Sequence, residues 1–117
     1  MSELTRTFES GATRSAAGDK YDYEGFLSPI VLERFGAYMH KHRHLPDGTL
    51  RASDNWQKGI PEDEYMKSIW RHMLDLWKLH RGYTVVSLRN VDDPWGETLC
   101  ALMFNVMGYL HEYLKEE

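Results

Sequence analysis

The sequence predicts an all-α chain: three main helices, at about residues 28–42, 61–81 and 93–115, behind an irregular N-terminal arm over residues 1–27. Three observations carry that expectation. Apolar residues recur at three- and four-residue steps in each of the three stretches. Two stretches open on Ser28-Pro29 and Asp93-Pro94, a capping residue followed by proline at the first helical position. The one stretch with local strand preference, Thr84-Val85-Val86, has no evident partner strand. At 117 residues the chain has room for a single domain, taken as 1–117. Helices with such wide apolar faces often pack against further helices, so the expectation is a helical bundle completed by oligomerisation, as a homodimer or homotetramer.

Taken in order, the arm contains Gly11, Gly18 and Gly25 and shows no helical period. The first helix carries Val31, Leu32, Phe35, Tyr38 and Met39 on one face. A long loop follows from Arg43 to Ile60, with the turn sequence Leu45-Pro46-Asp47-Gly48, and long loops in compact domains tend to be functional. Pro61 and the acids Glu62, Asp63 and Glu64 complement a helix dipole and open the second helix, striped with Tyr65, Ile69, Met73, Leu76 and Trp77 and ending near Arg81-Gly82. Tyr83 to Asn90 reads as loop. The third helix, with Leu99, Leu102, Met103, Val106, Leu110, Tyr113 and Leu114, is the longest.

Composition narrows the function. The chain is 42% hydrophobic, with four Trp and seven Tyr, enough to fold without disulfides. Its one cysteine, Cys100, sits between apolar neighbours and reads as a buried, inert thiol in a reducing compartment. No basic stretch leads into an apolar run at Met1 to Arg6, and no apolar window reaches membrane-spanning length, so the expected location is cytoplasmic with no membrane partner. A net charge of -4 argues against duplex nucleic acid as a partner, although a small phosphorylated ligand needs only two or three local cations.

Several residues could carry chemistry. His72 and Asp75 share a helical face and could ligate one divalent ion; the alternative is a histidine at the core boundary held by its own helix. Asn105, flanked by Met103, Phe104, Val106 and Met107, must find partners if buried, either a ligand or another helix. The alternation His40, His42, His44 suits a strand ligand set better than a helix, and otherwise reads as a solvated loop. Arg14, Lys20 and Lys58 supply cations on irregular backbone where phosphates could dock, and Trp56 could stack on a base; each could also be an ordinary exposed loop residue. A P-loop, a cysteine-rich zinc pattern, an adjacent His-Asp phosphohydrolase pair and a Gly-x-Ser-x-Gly elbow are missing.

Together, Gly11-Ala12-x-Arg14, Gly18-x-Lys20, Asn55-Trp56-x-Lys58-Gly59, Arg71-His72 and Asn105 resemble the phage and prophage domain called dATP/dGTP diphosphohydrolase, N-terminal, over nearly the whole chain. That family looks like a divergent branch of the all-α, MazG-like nucleotide pyrophosphohydrolases, whose pattern is Glu-Glu-x-x-Glu on one helix and Glu-x-x-Asp on the next. Here the first reads Arg71-His72-Met73-Leu74-Asp75 and the second aligns at Thr98-Leu99-Cys100-Ala101, without its acids. The resemblance implies a Mg²⁺- or Mn²⁺-dependent enzyme that cleaves purine deoxynucleoside triphosphates to monophosphate and pyrophosphate. His72, Asp75 and Glu97 would be catalytic, and the same three with Glu33 would hold the metal. Arg14, Lys20, Asn55, Trp56, Lys58, Arg71 and Asn105 would bind substrate. Replacement of both acids at Thr98 and Ala101 favours a second reading, a catalytically inactive helical module that binds a nucleotide or a protein.

Overall fold

The computed structural model describes residues 5–15 and 18–116; the expectations for residues 1–4, 16–17 and 117 lie outside the described residues. Strands β1 (Thr5–Thr7) and β2 (Thr13–Ser15) are followed by helices α1 (Tyr23–Phe26), α2 (Pro29–Lys41), α3 (Glu62–His80) and α4 (Pro94–Lys115). Single 3₁₀ turns at Asn55–Lys58 and Val86–Leu88 punctuate the two long connections.

The long helices start where the sequence places them. Ser28 Oγ accepts from Val31 N at 3.4 Å and Asp93 Oδ1 from Gly96 N at 3.1 Å, so each side chain satisfies a first-turn donor that has no partner within the helix. Glu62, Asp63 and Glu64 occupy the first turn of α3, at the positive end of its dipole.

The all-α class is corrected by the arm. Thr5↔Ser15, Arg6↔Arg14 and Thr7↔Thr13 pair antiparallel in a two-stranded sheet, closed by Phe8 N donating to Ala12 O at 2.8 Å and Gly11 N to Phe8 O at 2.9 Å. Gly11 makes that reversal with φ of +90°, in the left-handed region. Three-residue strands are too short to show a period of two, which is why Thr-Arg-Thr and Thr-Arg-Ser read as irregular. A fourth helix, α1, also lies within the arm; Asp22 Oδ1 caps it by accepting from Gly25 N at 3.0 Å. Nor does a second copy make the helical layer, because α2, α3 and α4 already pack within one chain.

α4 is the hub. It packs most extensively on α3, and also on α2 and on the Asn55–Lys58 turn. Its inward stripe, Thr98, Ala101, Asn105 and Gly108, is buried and steps by three and four residues, the spacing of a helix pair. The facing residues of α3, Tyr65, Ile69, His72, Leu76 and Leu79, step in the same way. Tyr65, at 1% exposure the most deeply buried large side chain, packs its ring against Gly108, where any Cβ would overlap it. On the other side Tyr38 packs with Cys100 and Ala101, backed by Phe35.

Two substitutions test this contact. Gly108→Ala should destabilise the chain by about 1–3 kcal/mol, the usual cost of forcing a methyl into a filled core, read as a fall in the urea midpoint. Tyr65→Phe should leave thermal stability unchanged or raise it, since the Tyr65 hydroxyl is buried with no hydrogen-bond partner.

Candidate functional site

The loop after α2 turns back at once. Leu45 N donates to Thr49 O at 2.9 Å and Arg51 N to Arg43 O at 2.8 Å, with His44 bridged to Leu50. Asp47 Oδ1 fixes the Pro46-Asp47-Gly48 turn by accepting from Thr49 N at 3.0 Å and Thr49 Oγ1 at 2.6 Å. This reversal sets Arg51 beside Arg43, whose Nε donates to Arg51 O at 2.8 Å.

The chain then runs to Trp56, whose ring meets His111 edge-on at 4.9 Å and Phe104 at 5.9 Å between centroids. Ile60 N donating to Glu112 Oε1 at 3.3 Å and Lys115 Nζ donating to Gln57 O at 3.5 Å complete the attachment of this loop to α4. Between the end of α2, the turned-back loop and α4 lies a pocket of about 480 Å³. Lys41, His42, Arg43, His44 and Arg51 line it together with Tyr38, Asn55 and Trp56, and no carboxylate is among its lining residues.

Next to the pocket, Glu97 gathers two cations and an imidazole. Its Oε1 is 3.2 Å from Lys41 Nζ and 3.5 Å from Arg34 Nη2, and its Oε2 is 3.6 Å from His42 Nε2. Burial pushes the Glu97 carboxyl up, but the hydrogen bonds and charges of Lys41 and His42 outweigh it, so Glu97 titrates below its ordinary value. Asp93 is lowered too, first by the Gly96 N–H it accepts and then by Arg34. Tyr38, stacked on His42 with centroids 4.3 Å apart, is pushed up to about 12 by burial and by the charge of Glu97.

His72 lies on the face of α3 that meets α4. Burial lowers its pKa; Asp75 partly offsets that, while Arg71 and His42 lower it further, so the imidazole is neutral at pH 7. The implied metal finds no matching donor set. Among the described residues no three His, Cys, Asp or Glu side chains are grouped to hold an ion. Both Glu97 oxygens are already engaged, Oε1 by Lys41 and Arg34 and Oε2 by the His42 ring, and Thr98 and Ala101, where the related pattern has acids, are buried in the core. The residues present do not fit a Mg²⁺ or Mn²⁺ centre built from His72, Asp75, Glu97 and Glu33.

Of the residues expected to bind substrate, the structure brings Asn55 and Trp56 into the pocket. Arg14 sits on β2 opposite Arg6, and Lys20 Nζ donates to Ser15 O at 3.1 Å; both belong to the arm. Lys58 is exposed at the end of its 3₁₀ turn, and Arg71 Nη2 donates to Ser68 Oγ at 3.0 Å on the outer side of α3. Asn105 is buried, and its Nδ2 donates at 2.8 Å to Ala101 O in its own helix instead of crossing to another. The cations that do line the pocket, Lys41, Arg43 and Arg51, were legible only as basic residues flanking Leu45-Pro46-Asp47-Gly48, a turn that brings its two sides together. Compared with family models, curated proteins and solved structures, the chain matches none of them. No helix among the described residues is long and apolar enough to cross a membrane.

At Glu97, Asp93 and His72 the folded chain holds fewer protons than the unfolded chain over the intervals between their folded and ordinary pKa values. Their contribution to stability should therefore be full above the ordinary histidine value of 6.5, then fall as pH drops below 6.5 through His72, below 4.5 through Glu97 and below 3.8 through Asp93. Glu97→Gln should lower stability at pH 7 by about 1 kcal/mol, since its partners are partly exposed, and flatten the acid limb below pH 4.5 in denaturant titrations run across pH.

Proposed function

We propose that this chain is a helical nucleotide-binding domain whose ligand enters the pocket between α2, the 43–58 loop and α4. The observation that carries the proposal is a lining of Lys41, Arg43, Arg51, His42 and His44 with no carboxylate, closed on one side by Trp56. Guanidinium and ammonium groups converging on one cavity suit phosphate oxygens, because charge-assisted bonds to an anion are the strongest they form. An indole with a neighbouring amide, Asn55, suits a base, which offers a π-face and a polar edge. The cavity volume lies in the range of ordinary small-molecule sites. Purine deoxynucleoside triphosphates are the class that the sequence resemblance implies.

A second reading, hydrolysis of the triphosphate to monophosphate and pyrophosphate, draws support from His72. A neutral imidazole can accept a proton from water, and Asp75 on the same helix favours the imidazolium that would result.

Calorimetric titration with dATP, dGTP, dTTP and inorganic triphosphate, with and without Mg²⁺ or Mn²⁺, tests the first reading. Saturable binding of dATP or dGTP should weaken at least about tenfold in Arg51→Ala; no binding of any of the four, in any condition, overturns it. Pyrophosphate release in the same mixtures separates the second reading. Turnover lost in Asp75→Asn and His72→Ala while binding persists supports it, and binding without turnover leaves a nucleotide-binding module.

A further inference from the structure

Of the three alternating histidines at the end of α2, the fold sets one apart and brings the other two together. His42 is directed to α4, with its Nε2 3.6 Å from Glu97 Oε2 and its ring against Tyr38. His40 and His44 meet each other, edge to face, with ring centroids 5.6 Å apart. The cause is local. α2 ends at Lys41, but the backbone keeps turning: His42 N donates to Tyr38 O, Arg43 N to His40 O and His44 N to Lys41 O. Continued turning brings together side chains four residues apart, as it does within a helix. A step of two, the spacing of a strand, therefore does not describe these residues, and a step of four does.

Two imidazoles at this separation suit one ion. A metal stands about 2.0–2.1 Å from a coordinating ring nitrogen and so about 3.2 Å from that ring's centroid, which sets two rings on one ion about 5–6 Å apart. The pair already lies in that interval. His44 is also oriented for the task, because its Nδ1 is 3.2 Å from Lys41 O. A carbonyl oxygen can only accept, so Nδ1 carries the proton and Nε2 keeps its lone pair for a ligand, the arrangement that fixes histidines in metal sites. The last carbonyls of the thirteen-residue α2 supply the negative end of a helix dipole beside the pair. Neighbouring cationic side chains are held elsewhere, Lys41 Nζ at 3.2 Å from Glu97 Oε1 and Arg43 Nε at 2.8 Å from Arg51 O. Both histidines are exposed, so the remaining positions of an ion are open to solvent.

We propose that His40 and His44 form a two-point site for a borderline divalent transition ion, Cu²⁺, Ni²⁺ or Zn²⁺. Paired imidazoles favour these ions over Mg²⁺ and Ca²⁺, which take oxygen donors. The site differs in residues and in metal from the carboxylate centre that the resemblance implies. An ion held there ties the end of α2 to the turned-back loop, since His44 is bridged to Leu50. It braces one wall of the cationic pocket, and its binding does not depend on whether a nucleotide enters that pocket.

Calorimetric titration of the full chain with Ni²⁺ or Zn²⁺ alone should give saturable binding, tighter still with Cu²⁺ and not displaced by excess Mg²⁺. His40→Ala and His44→Ala should each weaken it at least about tenfold, because the second imidazole closes on the ion at high effective concentration. His80→Ala, at the exposed end of α3, should bind as the wild type does. On the wild-type chain, substoichiometric Zn²⁺ should shift the ring resonances of His40 and His44 before those of His42, His72, His80 and His111, which decides the matter if a variant fails to fold. Absence of saturable binding overturns the proposal. So does wild-type affinity in either His40→Ala or His44→Ala, which would put the ion on a single ring or elsewhere in the chain.

Discussion

Much of this structure depends on how closely α3 approaches α4. The inward stripe of α4 is made of small or polar residues, Thr98, Ala101, Asn105 and Gly108, and the space they leave is taken by the ring of Tyr65. Bulkier residues on that stripe would hold the helices apart and leave Tyr65 without a seat, because a filled interior has little slack. With α4 held there, its first turns offer Glu97 to α2, its middle offers Phe104 and its last turns offer His111 and Glu112 to the loop that carries Trp56.

Electrostatics then organises the pocket from behind. Glu97 is mostly shielded and accepts Arg34, Lys41 and His42, so a single carboxylate draws the end of α2 against α4. The cations on the pocket side, Arg43 and Arg51, are brought together by a different device, the backbone reversal pinned by Asp47. Lys41 and His42, which also line the pocket, are thus paired to a carboxylate within the fold, while no ion pair to Arg43 or Arg51 is seen among the described residues. That division supports reading Glu97 as an organiser of cations rather than as a metal ligand.

The three long helices were legible because their signals are local. Ser28-Pro29, Asp93-Pro94 and the acids after Pro61 are start signals, and the observed spans Pro29–Lys41, Glu62–His80 and Pro94–Lys115 fall within two residues of expectation. The hairpin and α1 were not legible, since three- and four-residue elements carry no period and depend on a few turn bonds. At the site, the loop from Arg43 to Ile60 stood out by its length, and Asn55 and Trp56 by their type. Trp56 is nonetheless held by α4, and Arg14, Lys20 and Lys58 are not among the residues that line the pocket.

By itself the sequence determined what nearest neighbours in the chain decide: where helices begin, which face of each is apolar, where the chain turns, and that Cys100 is buried. The tertiary structure decided what depends on residues far apart in the chain. Asn105 is buried against α3 and bonds back to Ala101 O in its own helix, and Glu97 is the partner of Lys41 and His42 because α2 packs on α4 at that turn. A helical period fixes a face but not its occupant. That is why the apolar residues of α4 could be named from its sequence, while only the packed chain showed that α3 meets the small and polar stripe Thr98, Ala101, Asn105 and Gly108 and leaves Leu99, Met103, Val106 and Leu110 exposed.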